Sequence, residues 1–232
     1  MKANWRLNNH MDKKEAKKLI NNVFLGIKIA TSCEDLQSLL HSESVLSKNK
    51  MDLDKYPKIG FTISSEDVEN LIEARLLNSD FSLTEQATKN LDPLSKLLYA
   101  VIWKNGDLRK IRHIIQGVKN AGKVINDEEN AVVFRQFGKF LNQRDEPIVD
   151  QHVIRAFALY FDSSKDFDQI RSIGLLNKRH QTYIDAYKNW LNSDEILNEL
   201  KSQPEYTYYI DQLLFAVGKA VKIGKTAKNR KD

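Results

Sequence analysis

Asn126-Asp127-Glu128-Glu129-Asn130-Ala131-Val132-Val133-Phe134-Arg135-Gln136-Phe137-Gly138-Lys139-Phe140-Leu141, and then Pro147-Ile148-Val149-Asp150-Gln151-His152-Val153-Ile154-Arg155-Ala156, are the stretches whose pattern decides the fold. Asn126 offers a capping side chain, and the acids after it sit where the helix dipole favours negative charge. The spacing predicts a helix to about Leu141 that buries Val133, Phe134, Phe137, Phe140 and Leu141. Gly138 lets a neighbouring backbone approach. A polar loop, Asn142 to Glu146, leads to Pro147 and to a second helix that reaches about Phe161. Neither half of this pattern asks for a sheet.

Outward from that core the same period recurs. Asp12 to Lys28 reads as an amphipathic helix with Leu19, Ile20, Val23, Phe24 and Ile27 on one face, and Glu34–His41 as a short helix. The polar stretch Ser42 to Gly60, broken by Pro57, reads as a loop, with at most a short hairpin near Lys58–Ile63. Ser64 with Asp67 forms a capping-box pattern ahead of Val68, Leu71, Ile72 and Leu76. Helices are expected at Ser82–Leu91, Pro93–Lys104 and Leu108–Lys119, the last two forming a compact hairpin about Asn105-Gly106-Asp107, and later at Phe167–Ile173, Lys178–Leu191, Ser193–Lys201 and Glu205–Val221. Nine glycines and four prolines in 232 residues, with 29% charged side chains, fit helices and exclude a loop-rich barrel. The expectation is a single all-α domain over 1–218, divisible into two lobes with 108–161 carrying the decisive segments, followed by a basic tail at 219–232.

Charge is unevenly placed. The net charge is +5, and residues 219–232 alone carry that much, with six bases against Asp232. Residues 1–20 add +4, so the body between is mildly acidic. A basic end either binds phosphates or is a solvated tail. A lone cysteine, Cys33, excludes an internal disulfide and suits a reducing compartment. Leu19–Ala30 is too short to span a bilayer and no leader pattern is evident, so a cytoplasmic protein with no membrane partner is expected. The five histidines show no metal spacing, and neither a metal nor another cofactor is expected. Gly218 to Thr226 has the wrong spacing for a phosphate loop and follows a helix. Trp103 beside Lys104, Arg109, Lys110 and Arg112 reads first as a core tryptophan next to a solvated turn, and Tyr206, Tyr208 and Tyr209 as packing at a helix start.

Phe137-Gly138-Lys139 followed by Pro147-Ile148-Val149-Asp150-Gln151-His152-Val153-Ile154-Arg155 resembles the signature of the helix-hairpin-helix DNA glycosylases, the superfamily of endonuclease III and the adenine glycosylases. Ile210-Asp211-Gln212-Leu213-Leu214-Phe215-Ala216-Val217-Gly218-Lys219 is similar to a late family helix that ends in glycine and a base. The similarity covers Asn126–Tyr160 and Glu205–Lys219. It implies a two-lobed helical fold of the DNA glycosylase type, DNA as partner, and Asp150 as the catalytic carboxylate. The family's glycine-rich hairpin corresponds to Asn120–Asn126, which keeps one glycine. Glu129 stands where bifunctional members carry a Schiff-base lysine, and the cysteine-rich iron–sulfur loop is absent, so the implied activity is monofunctional and free of the cluster. DNA contacts are expected from Gly122, Lys123, Lys139, His152 and Arg155, with Lys219, Lys222 and Lys225 from the basic end.

The chemistry gives Asp150 a reason to stand there. Breaking the bond from base to deoxyribose develops positive charge on the sugar, and a fixed carboxylate stabilises it or orients water. The base must first leave the stack and enter an aromatic or apolar pocket. The other readings stay open: Asp150 caps its helix and pairs with a base such as Arg155, the chain is a module that binds nucleic acid or protein without chemistry, or it is an unrelated all-α interaction protein.

Overall fold

The computed structural model describes residues 11–122, 131–143 and 145–223. Among them the fold is all-α: α1 (Lys13–Ile29), α2 (Cys33–Ser42), α3 (Ser44–Asn49), α4 (Ser65–Glu73), α5 (Gln86–Lys89), α6 (Pro93–Lys104), α7 (Leu108–Lys119), α8 (Val132–Asn142), α9 (Gln151–Phe161), α10 (Phe167–Arg171), α11 (Gln181–Leu191), α12 (Asn198–Lys201) and α13 (Tyr206–Ala220). The chain forms two compact units. One takes it up to Tyr56, then Asp150–Leu175 and Thr182 onward; the other takes Pro57–Val149 with Leu176–Gln181. The expected 108–161 segment is thus divided after Val149.

In the first unit, caps set the helix starts. Asp12 with Glu15 and Ser32 with Asp35 form reciprocal capping boxes at α1 and α2. The face read from the sequence of α1 is buried in full, with Ala16 added. The middle of helix α9 is enclosed on every side: Val153 to Leu159, Arg155 among them, are buried without interruption. Phe157 lies at its centre, with ring centroids 5.2 Å from Tyr187, 5.7 Å from Trp190 and 6.5 Å from Phe24. Phe24 in turn stacks on Tyr160 at 3.9 Å. Helix α13 packs along α9, α2 and α3. A Cβ built at Gly218 would lie 1.9 Å from the His152 carbonyl oxygen, so this crossing requires glycine. The tail does not start at 219. Val221 is buried, and its carbonyl accepts from Arg171 Nε at 2.7 Å.

The second unit gathers Val68, Leu77, Ile115, Val118 and Leu141, with Ile63, Ile114 and Phe137 packed against them. Ser64 caps α4 with Asp67, as its pattern predicts. Helix α7 packs on α8 and α4, and no compact hairpin with α6 forms. A Cβ at Gly117 would meet the Arg135 carbonyl oxygen at 2.1 Å, and one at Gly138 that of Ile114 at 2.0 Å. This contact turns α8 so that Gly138 faces α7. Val132, Arg135, Gln136 and Leu141 are therefore buried, while Val133, Phe134, Phe137 and Phe140, expected inside, are half-covered.

Several expectations are corrected. Ser42 to Gly60 is not all loop, because α3 forms within it. Ser82–Leu91 and Ser193–Lys201 shrink to α5 and α12. Lys58–Ile63 makes no hairpin; instead Ile63 N donates to the Leu141 carbonyl at 2.9 Å. Helix α8 opens at Val132 behind Ala131, whose φ of 76° is left-handed, and Asn126 to Asn130 lie outside the described residues. Trp103 is not core: it is 64% exposed.

Candidate functional site

Asp150 ends an extended backbone segment and caps α9. Its Oδ1 accepts from His152 N at 2.5 Å and from Val153 N at 3.4 Å. Its Oδ2 has no hydrogen-bond partner among the described residues, and the residue is half-buried. The capping role is thus real, and the pairing with Arg155 is not seen. Arg155 is 0% exposed. Its Nη1 donates to the Gly218 carbonyl at 2.6 Å and its Nη2 to that of Ile173. The guanidinium ties α9 to the end of α13 and to the chain after α10; as a DNA contact it is replaced by this internal role, because no surface remains for a phosphate.

His152 stands between these groups. Arg155 Nη1 lies 2.9 Å from His152 Nδ1. Guanidinium can only donate, so Nδ1 is the acceptor in this contact. Burial pushes the imidazole below its ordinary value, Asp150 opposes that shift, and the charges of Arg155 and Lys222 reinforce it. Arg155 itself is lowered to about 10, chiefly by burial, and stays charged at neutral pH. The His152 ring meets the Phe215 ring edge-on at 4.8 Å, and Lys219 Nζ lies 5.9 Å from the Phe215 ring centroid.

The start of α9 and the end of α13 therefore bring together Asp150, His152, Lys219 and Lys222, with Arg155 and Phe215 beneath. Gly122, exposed with φ 74°, and Lys139 belong to the second unit, and Lys123 and Lys225 lie outside the described residues. Sequence reasoning missed Phe215, although its four-residue spacing from Lys219 on one helix face was available as a signal. It also missed what Gly218 does, which depends on a backbone 66 positions away. Among the described residues no group of His, Cys, Asp and Glu could hold a metal ion, and no helix is long and apolar enough to cross a membrane. No family model matches the chain, and no match is found among curated proteins or solved structures.

Proposed function

We propose that the protein binds DNA and cleaves an N-glycosidic bond in the manner of the helix-hairpin-helix DNA glycosylases, with Asp150 as the charge-stabilising or water-orienting carboxylate. The observation that carries this reading is the division of labour within one side chain. Capping holds Oδ1 on a helix buried from Val153 to Leu159, and that leaves Oδ2 of a half-buried carboxylate without a hydrogen-bond partner among the described residues. In the reaction the C1′–N bond breaks, water oxygen bonds C1′, and the departing base takes up a proton. A carboxylate fixed beside C1′ stabilises the oxocarbenium-like transition state without reorganising. Lys219 and Lys222, in the same unit as Asp150, supply positive charge for the strand.

A non-catalytic DNA-binding module is the second reading, favoured by the fact that among the described residues the only hydrogen bonds of Asp150 are those of a helix cap. Base release from a panel of damaged duplexes separates the two. Removing residues 224–232 tests the basic end without disturbing Val221. Four cations leave with that segment. If they touch phosphates, the slope of log affinity against log salt flattens by about 4 at most, from roughly 0.9 per neutralised phosphate. An unchanged slope means that the tail is solvated.

A further inference from the structure

Helix α6 has no buried residue, yet it is among the most apolar segments of the chain. Its covered side is Ser95, Tyr99 and Ile102, which are half-buried. On another side Leu94, Leu97, Leu98 and Val101 are 66%, 67%, 56% and 59% exposed. Their spacing of three, four and seven residues sets them in one stripe about 100° wide on the helix. The stripe leaves roughly 500 Å² of apolar surface open, the upper range for the largest patch of a monomer, where such patches mark interaction sites.

We propose that this stripe is a self-association surface on which a second copy of the chain docks with its α6 antiparallel. Two such stripes placed face to face remove roughly 1,000 Å², where specific but weak interfaces begin. The charges at the helix ends select the second copy and its direction. Asp92 caps the N-terminus and Lys104 lies in the last turn. A two-fold axis between Leu97 and Leu98 sets Lys104 of each copy against the Asp92 end of the other and opposes the two helix dipoles. A parallel pair would bring like charges together at both ends. The symmetry operation supplies a matching apolar face of the same length, with no other protein required. The surface is independent of the glycosylase reading and survives its failure.

Sedimentation velocity of the full chain, from about 1 to about 200 µM and without DNA, tests the proposal. The weight-average mass should rise reversibly from 26.8 kDa toward twice that value. Leu97→Glu combined with Val101→Glu places four like charges across the axis and should raise the dissociation constant at least about 100-fold. Circular dichroism and melting should not change, because the replaced side chains are exposed. Direction is read by oxidation of a mixture of Leu94→Cys and Val101→Cys proteins, in which the mixed disulfide should outnumber both symmetric ones; Cys33 is buried and gives no background. A monomer at every concentration overturns the proposal, as does association that the glutamates leave intact. Symmetric disulfides in excess overturn the antiparallel arrangement. Binding of monomer to phosphatidylglycerol vesicles, lost in the glutamate variant, would assign the stripe to a membrane surface and overturn it too.

Discussion

Helices α6 and α9 begin with the same local grammar and end in opposite places. Each is opened by an aspartate whose carboxylate accepts from the second and third backbone amides of its helix: Leu94 and Ser95 for Asp92, His152 and Val153 for Asp150. Each continues as an apolar run. Yet seven consecutive residues of α9 are buried and none of α6 is. Composition and capping decide that a helix forms, and only its neighbours decide whether it becomes core. The difference also bears on chemistry. An aspartate at an exposed helix start has no more to do than cap, whereas one anchored to a rigid, buried helix holds its second oxygen in a fixed place.

The first way to break this comparison is to truncate each helix. Phe157→Ala should cost about 3–5 kcal/mol in denaturant unfolding, because the cavity is enclosed by rings that cannot collapse into it. Leu98→Ala on α6, measured on the dilute monomer, should stay within about 0.5 kcal/mol of the parent. Equal losses in the monomer would mean that α6 is covered within its own chain. Smaller in effect is Gly218→Ala, which forces a methyl group against the His152 carbonyl and should cost about 1–3 kcal/mol or more. The same change at Gly106, where no atom lies within 4 Å of the added Cβ, carries only the strain of its positive φ. Thermal melts of the two variants give the order directly.

A subtler effect concerns pH. Burial lowers the His152 value in the folded protein below the ordinary 6.5. Above 6.5 the ring is neutral in both folded and unfolded chains, and its contribution is complete. As pH falls through 6.5 toward the folded value, the unfolded chain takes up a proton that the folded one resists, and stability is lost. Urea midpoints measured from about pH 7.5 to about pH 5 should therefore decline, and His152→Gln should remove part of that slope. A variant with the parent's slope would show that His152 is not held neutral.

The helix starts were the most legible part of the molecule. Asp12, Ser64 and Pro93 place α1, α4 and α6 to within a residue, because a cap is a local arrangement that neighbouring residues dictate. Helix α3 was not legible. Ser44–Asn49 is short and polar, with Leu46 as its one buried anchor, and no periodicity marks it. The site was legible in part. Asp150 and His152 stand at the helix start that the sequence predicts, but Arg155 read as a surface cation and is an internal tie. A basic residue in sequence does not reveal whether carbonyl oxygens wait for it, and those of Gly218 and Ile173 lie far along the chain. The rotation of α8 was hidden for the same reason: it follows from Gly117 meeting Gly138, a contact between two helices.

The central claim is that Asp150 does more than cap, and Asp92 is the internal control. Asn caps a helix about as well as Asp, so Asp150→Asn and Asp92→Asn should both fold as the parent does, while Asp150→Ala loses about 1 kcal/mol. The decisive measurement is single-turnover base release by these proteins on whichever damaged duplex the panel finds. Asp150→Asn should keep DNA affinity and slow release by about 10²–10³, the usual worth of one lost transition-state contact, while Asp92→Asn releases base at the parent rate. Parent-rate release by Asp150→Asn would contradict the account and leave Asp150, like Asp92, as a cap alone.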